Sequence, residues 1–152
     1  MARKAYDYAL YLLTGRGYST RNLRRKLVRK EYESVEIEAV VSRLLHAGLL
    51  DDARYAREYA RQKLVSGSIS VRRVQRELSV KGISSDVASV AIDEVMATEP
   101  IDIEQSIEAA ARKKLAAMGD LPADVKRRRV FAFLARRGFE IGDIKRAVER
   151  LA

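Results

Sequence analysis

The chain has 152 residues, of which 47% are hydrophobic, and its 30 Lys and Arg against 21 Asp and Glu give a formal charge of +9. This length fits one compact domain or a short array of helical units with a continuous core, and the apolar content excludes a disordered chain. The absence of cysteine and the single histidine exclude disulfides, a thiolate nucleophile and a histidine-based metal cluster. A positive charge is typical of a polyanion-binding protein, nucleic acid being the first candidate, although it also serves solubility.

The N-terminus shows no targeting or membrane signal. Arg3, Lys4 and Asp7 interrupt its apolar residues, so it has neither a signal-peptide core nor a span of about 20 apolar residues. We therefore expect a cytoplasmic protein without a membrane partner. We further expect a monomer that holds no cofactor.

Apolar residues recur at helical spacing from one end of the chain to the other, as in Ile37, Val40, Val41 and Leu44, and no stretch alternates as a strand does. The sequence therefore predicts an all-α protein. Eight turn signals divide it into nine helices, at residues 15–19, 31–34, 48–52, 66–70, 81–85, 98–102, 119–122 and 138–142. Residues 96–100 look like a linker at which the third part of the chain could take a different angle.

The nine helices group into threes because the second helix of each group repeats one pattern. An apolar residue is followed by Leu four positions on, a basic residue three further, and an apolar residue two beyond that. The copies are Leu23, Leu27, Lys30, Tyr32; Val74, Leu78, Lys81, Ile83; and Val130, Leu134, Arg137, Phe139. The pattern predicts three tandem three-helix repeats resembling helix-turn-helix units, at residues 1–50, 51–98 and 99–152, stacked as an elongated array.

Basic residues occupy equivalent positions on these second helices. Residues 20–30 contain six basic residues and no acid, and residues 71–81 contain four with a single acid. Any amphipathic helix has a charged outer face, but that face is usually mixed in sign, and like charges so close repel unless a polyanion relieves them. The sequence therefore predicts a basic binding surface formed by Arg21, Arg24, Arg25, Arg72, Arg73, Arg76, Lys126, Arg127, Arg128 and Arg129.

Within this surface, we expect the second helix of the middle unit to contribute most to binding. Arg72, Arg73 and Arg76 lie at the centre of the array, and we expect all three to be exposed. Reversing their charge should then leave stability nearly unchanged, because exposed substitutions usually shift it by no more than about 0.5 kcal/mol.

Several other polar residues fit structural roles. Lys30, Lys81 and Arg137 look like cations at helix C-termini, with glycine following the latter two at the left-handed position. His46 also stands near a helix end. Asp51 and Asp52 directly precede a helix start, where an N-cap and a first-turn acid belong.

No catalytic motif accompanies these residues. Gly15 and Gly17 lack the third glycine and the preceding strand of a dinucleotide fingerprint, and no phosphate-binding loop occurs. The spacing of the tyrosines on the first helices predicts packing rather than base stacking, for Tyr6, Tyr8, Tyr11, Tyr55 and Tyr59. Tyr18, at a turn beside a basic helix, is the tyrosine that could contact a base or a partner. We therefore expect a protein that is not an enzyme.

Four stretches of the chain form a specific set. They are Ala9-x-x-Leu12-Leu13 with Tyr18-Ser19 and Leu23-Arg24-x-Lys26-Leu27; Gly48-Leu49-Leu50-Asp51-Asp52-x-x-Tyr55-Ala56; Val74-x-x-Glu77-Leu78-x-x-Lys81-Gly82-Ile83; and Phe133-Leu134-x-Arg136-Arg137-Gly138-Phe139. In these stretches the chain resembles the RecX family, the regulators of the bacterial RecA recombinase. The resemblance covers nearly the whole chain, and it implies the same fold of three tandem three-helix repeats.

The resemblance also implies partners. RecX proteins bind the RecA filament on DNA, lie in its helical groove and depress ATP hydrolysis and strand exchange, which places them in DNA repair, recombination and the SOS response; some bind single- or double-stranded DNA directly. Whether the basic surface meets DNA, RecA or both stays open at this point, as does binding to filament ends or sides. The alternative is a stand-alone helix-turn-helix-like DNA-binding protein, for which Asn22 and Gln75 supply few base-reading side chains.

Overall fold

The computed structural model describes residues 3–67 and 69–151, which form nine α-helices and no strand. The helices are α1 Ala5–Gly15, α2 Thr20–Arg29, α3 Ser34–His46, α4 Asp52–Val65, α5 Val71–Val80, α6 Ser85–Thr98, α7 Ile103–Ala116, α8 Ala123–Arg136 and α9 Ile141–Leu151. The predicted all-α fold is confirmed, and each break lies within two residues of its predicted position. None of the described helices is both long and apolar enough to span a membrane.

Each group of three helices has its own hydrophobic core. The pattern anchors are at its centre, because Leu23 and Leu27 are fully buried in the first unit and Val74 and Leu78 in the second. The three clusters of buried residues are separate, and the extensive helix packing lies within units. The expectation of a continuous core is therefore wrong: a unit of this size closes its own core, and the units meet through smaller contacts.

The linker is shorter than predicted. Helix α6 continues to Thr98, and the break runs only from Glu99 to Asp102. Ile101 packs against the core of the second unit, so this segment is fixed to its neighbour. The linker prediction is wrong at its start because the small residues before the proline favour helix as readily as a loop.

The predicted caps of the second helices are confirmed. Lys30, Lys81 and Arg137 are the C-cap residues of α2, α5 and α8. The next residue has positive φ in each case, at 63° for Glu31, 86° for Gly82 and 90° for Gly138. Each helix therefore ends in the same left-handed turn, whether or not the residue is glycine.

Successive units meet end to end through these caps. The hydroxyl of Ser19, the N-cap of α2, donates a 2.7 Å hydrogen bond to the carbonyl oxygen of Lys81. At the next boundary the backbone N–H of Ser70, the N-cap of α5, donates to the carbonyl oxygen of Arg137 at 3.2 Å. Thus a donor at the start of one second helix binds a free carbonyl oxygen at the end of the second helix of the next unit. These hydrogen bonds fix how adjacent units are placed.

The glycines at these caps are required for close approach. A Cβ atom at Gly82 would lie 2.6 Å from the Cβ of Arg21, and one at Gly138 would lie 2.5 Å from the hydroxyl of Ser70. Glu31 occupies the same conformation at the end of α2. A side chain is thus accommodated at the α2 end, whereas glycine stands where a neighbouring unit docks.

The two aspartates before α4 have different roles. Asp51 is the N-cap as predicted, and its carboxylate accepts from the Arg54 N–H at 3.0 Å. The Asp52 carboxylate instead accepts from both the backbone N–H and the hydroxyl of Thr20, at 2.8 and 3.0 Å. Asp52 therefore joins the first and second units, in addition to its place in the first turn of α4.

The tyrosine predictions are only partly correct. Tyr6 and Tyr8 pack on the first core as expected, but Tyr11 is 58% exposed. Tyr18 is buried at 7% exposure within the first core, so it is not available to a base or a partner. A turn position does not imply exposure when the turn folds back onto its own unit.

Candidate functional site

The basic residues of the first unit lie on α2 and have three different environments. The Arg24 guanidinium donates two hydrogen bonds, at 2.9 and 3.2 Å, to the Glu38 carboxylate of α3. Arg21 packs against Gly82 of the second unit. Arg25 is exposed, and no hydrogen bond or ion pair holds its side chain within the described part of the chain. Arg21 is also exposed and without an ion pair in the described residues, but its stem lies at the contact between units, so Arg25 is the α2 cation of this set least engaged by the rest of the described chain.

In the second unit, two of the three predicted arginines contact the third unit. The Arg73 guanidinium donates to the carbonyl oxygen of Arg136 at 2.6 Å, and that of Arg72 donates to the carbonyl oxygen of Gly138 at 3.1 Å. Arg72 also lies 3.5 Å from the Glu140 carboxylate. Arg72 and Arg76 are exposed as expected, whereas Arg73 is only half-exposed. Because Arg72 and Arg73 contact the third unit, we expect reversal of their charge to lower stability, which the sequence did not indicate.

Arg76, the third of these arginines, is the counterpart of Arg25. Both side chains stand two residues after the first apolar anchor of their helix. Both are exposed, and Arg76 has no ion-pair or hydrogen-bond partner among residues 3–67 and 69–151. The two side chains are therefore equivalent exposed cations on α2 and α5 without a carboxylate partner in the described residues; we call this pair the α2/α5 basic surface.

In the third unit the basic run lies near the start of α8, whereas Arg72 and Arg73 contact the residues at the end of that helix. Arg128 lies 3.5 Å from the Asp124 carboxylate, whereas Arg127 and Arg129 are exposed without a carboxylate partner in the described residues. Lys126 is half-buried beside a cavity of about 380 Å³ that Leu115 and Leu151 also line. At 1.5 Å per residue, the run and the α5 contact are separated by roughly 10 to 15 Å of helix.

Two inter-unit grooves, which the sequence did not indicate, accompany these surfaces. The first inter-unit groove has a volume of about 550 Å³ and is lined by Arg16, Gly17, Tyr55, Glu58, Tyr59, Arg61, Gln62 and Lys81. The second has about 660 Å³; it lies between the α4 end and α7, and reaches Phe133 and Arg137 of α8. The sequence signal that could have pointed to them is the repeated cation at each C-cap, which lies over an aromatic ring in both grooves.

Tyr59 is one of the two aromatic rings that line the first inter-unit groove. Its hydroxyl donates a 2.8 Å hydrogen bond to the Glu77 carboxylate of α5. Burial, and then this hydrogen bond, raise the pKa of the Tyr59 hydroxyl above its ordinary value. The ring of Tyr55 stacks beside it with centroids 6.2 Å apart. Both rings are half-buried and pack against the core of the second unit, as the sequence predicted.

The described residues contain no group of three or more His, Cys, Asp or Glu side chains placed to hold a metal ion. What the arrangement offers is binding: exposed guanidinium groups suit phosphate or carboxylate oxygens, and half-buried rings beside cations suit planar groups.

Family models match almost the whole chain in three consecutive parts. They are described as the first, second and third three-helix domains of RecX, and they match residues 5–44, 51–92 and 102–148. The chain belongs to the RecX family. Among its relatives, the regulatory protein RecX of Trichlorobacter lovleyi is 34% identical over 148 residues, covering 95% of this chain and 94% of that protein. The regulatory protein RecX of Actinobacillus pleuropneumoniae serotype 5b is 36% identical over 135 residues, covering 89% and 84%.

Solved RecX structures share the fold. The crystal structure of RecX from Lactobacillus salivarius matches with a TM-score of 0.76 at 21% identity, covering 97% of this chain and 94% of that one. A crystal structure described as regulatory protein RecX matches with a TM-score of 0.81 at 20% identity, covering 96% and 72%. The tandem arrangement of three-helix RecX domains is therefore shared with known members of the family.

Proposed function

We propose that this RecX-family chain binds the RecA–DNA filament and lowers RecA's ATP hydrolysis and strand exchange, acting by occupancy and not by catalysis. Membership of a family of regulatory proteins supports the role of regulator. The observation that carries the binding mode is the pair Arg25 and Arg76, equivalent exposed cations without internal partners in the described chain.

The α2/α5 basic surface suits a polyanionic filament. An exposed guanidinium that no carboxylate neutralises can form charge-assisted hydrogen bonds to phosphate or carboxylate oxygens without first breaking an internal pair. Arg24 differs, because Glu38 already engages its guanidinium. We therefore assign ligand contact first to Arg25 and Arg76, and next to Arg127 and Arg129 of the third unit.

The alternative, a stand-alone DNA-binding protein that inserts a second helix into the major groove, is less well supported. Such a helix reads bases with side chains of its first turns. In α5 those turns contact the third unit through Arg72 and Arg73, and in α2 Arg21 packs against Gly82. The inter-unit contacts therefore favour a regulator of the filament over a major-groove reader.

A three-way affinity measurement tests the proposal. Wild-type protein is titrated against bare single-stranded DNA, bare duplex and a preformed RecA filament at one salt concentration, because nucleic-acid affinities depend strongly on salt. We expect the tightest binding to the filament. Equal or weaker binding to the filament than to bare duplex would contradict the proposal and favour the stand-alone DNA-binding protein.

Charge reversal then tests the surface. Arg25→Glu/Arg76→Glu should weaken filament binding by about a hundredfold or more, since loss of each of two charged hydrogen bonds costs roughly 1.5–3 kcal/mol. The matched control is Arg112→Glu/Lys145→Glu, which changes the charge equally at exposed positions of α7 and α9. Equal weakening by the two double variants would mean that overall charge, and not this surface, drives binding.

A further inference from the structure

Each inter-unit groove is lined by an aromatic ring that has two cations close to its centroid. The cation-to-centroid distances are 5.6 Å for Lys63 and 5.2 Å for Lys81 over Tyr59, and 5.1 Å for Lys114 and 4.9 Å for the Arg137 guanidinium over Phe133. Cations within about 6 Å of a ring face are held there by its quadrupole. Since Tyr59 is on α4 and Phe133 on α8, different helices supply the ring at the two boundaries, and the arrangement nonetheless recurs.

The lysines beside these rings are not neutralised by carboxylates. Lys81, which lines the first groove, and Lys63, which lies over Tyr59 without lining that groove, form no ion pair with any described residue. The same holds for Lys113 and Lys114, which line the second groove. The acids that line the grooves are already engaged, as three contacts show: Glu58 pairs with Arg61, Glu99 lies 4.0 Å from Arg61, and Asp102 accepts from the Gln105 N–H. Both grooves therefore present positive charge beside a ring.

The size and lining of the grooves suit a ligand in which a planar group is joined to an anionic backbone. Their volumes of about 550 and 660 Å³ fall within the range of small-ligand sites, roughly 300–1,000 Å³. The first adds the ring of Tyr55, and the second adds the apolar side chains of Leu64 and Ile101. Proteins that bind single strands combine such aromatic platforms, for the bases, with cations for the phosphates.

From this recurrence we infer that the two inter-unit grooves bind single-stranded DNA, with one base stacked on Tyr59 and another on Phe133. A site that repeats at each unit boundary suits a ligand that itself repeats, as a polynucleotide does. An acidic peptide would be attracted by the cations but would gain less from the ring faces. The inference rests on the proposed function for the presence of DNA, and it adds a site distinct from the α2/α5 basic surface.

The experiment measures anisotropy of a labelled oligothymidylate of about 12 nucleotides, against an abasic strand with the same backbone and length. Wild-type protein should bind oligothymidylate more tightly than the abasic strand. Tyr59→Leu and Phe133→Leu should each raise the dissociation constant for oligothymidylate about fivefold or more, the change that corresponds to ~1 kcal/mol of base stacking. Tyr59→Phe keeps the ring and should bind as wild type does.

Tyr11→Leu is the matched control. Tyr11 is an exposed ring with the Arg3 guanidinium 4.5 Å from its centroid, yet it is not among the residues lining either groove. Its replacement should leave the affinity for oligothymidylate unchanged. Circular dichroism and the thermal midpoint establish that each variant is folded before its affinity is compared.

If Tyr59→Leu or Phe133→Leu does not fold, a variant of the groove lysines, called here the rim variant, still tests the inference. Lys81→Gln/Lys113→Gln removes one lining cation from each groove, and it should weaken oligothymidylate binding and reduce the log–log salt slope by roughly 0.7 per lost phosphate contact. Equal wild-type affinity for the abasic strand and oligothymidylate, or wild-type affinity in folded Leu variants and in the rim variant, would overturn the inference.

RecA inhibition, measured separately, distinguishes this inference from the proposed function. Loss of oligothymidylate binding in the Leu variants supports the groove site whether or not these variants still inhibit RecA. A wild-type protein that binds oligothymidylate in the predicted way, but leaves RecA unaffected, overturns the proposed function and not the groove site.

Discussion

Replacing Gly138 with alanine should separate the second unit from the third. The residue has a φ of 90°, and a Cβ atom there would lie 2.5 Å from the Ser70 hydroxyl and 3.1 Å from the Cβ of Arg73. Both neighbours belong to the start of α5. The new methyl group therefore cannot be accommodated unless that helix start moves away from the C-terminus of α8.

The free-energy cost of Gly138→Ala has two parts. A left-handed conformation costs an L-residue about 1–2 kcal/mol, and forcing a methyl group into a filled contact costs about 1–3 kcal/mol. Gly119→Ala is the matched control, because Gly119 has a φ of 64° and a Cβ atom there would meet no heavy atom within 4 Å. We expect the free energy of unfolding to fall by about 1 kcal/mol in Gly119→Ala and by about 3 kcal/mol in Gly138→Ala.

Urea unfolding followed by far-ultraviolet circular dichroism measures both values on the full chain. Because units in tandem arrays are stabilised partly by their neighbours, Gly138→Ala should also broaden the transition as the third unit begins to unfold separately. Equal losses of stability in the two variants, with equally sharp transitions, would refute the docking role assigned to Gly138.

Three further outcomes follow from the same contacts. Ser19→Ala should lower the free energy of unfolding by about 1–3 kcal/mol in urea titrations, because it removes an N-cap and the hydrogen bond to Lys81; no loss would contradict the docking role of Ser19. Arg25→Glu/Arg76→Glu should shift the thermal midpoint little, since exposed substitutions change stability by about 0.5 kcal/mol or less. The raised pKa of Tyr59 stabilises the fold below the unfolded tyrosine value of about 10 and loses that contribution as pH rises further, so thermal melts above pH 10 should show a smaller alkaline loss in Tyr59→Phe than in wild type.

Much of the fold follows from local signals in the sequence. Leu23, Val74 and Val130 stand at one position of a repeated helical pattern, and all three are buried as that pattern predicts. Lys81 and Arg137 precede glycines, and both end their helices. These features could be predicted because each depends on residues within a few positions of one another.

The partners of the basic side chains depend on contacts between units, and no helical period reports those. Arg72 and Arg76 belong to the same outer face in the sequence, yet only Arg72 reaches the carbonyl oxygen of Gly138. Asp52 was correctly placed in a first helical turn, but its bonds to Thr20 cross a unit boundary. The sequence therefore indicated which residues are basic and outward, but not which of them remain available.

RecA's single-strand-dependent ATP hydrolysis, measured with increasing amounts of this protein, tests the central claim most directly. Wild-type protein should lower the rate to a plateau, and Arg25→Glu/Arg76→Glu should require about a hundredfold more protein or more to do so, whereas Arg112→Glu/Lys145→Glu should match wild type. An unchanged hydrolysis rate at saturating wild-type protein would contradict the claim that the chain regulates RecA.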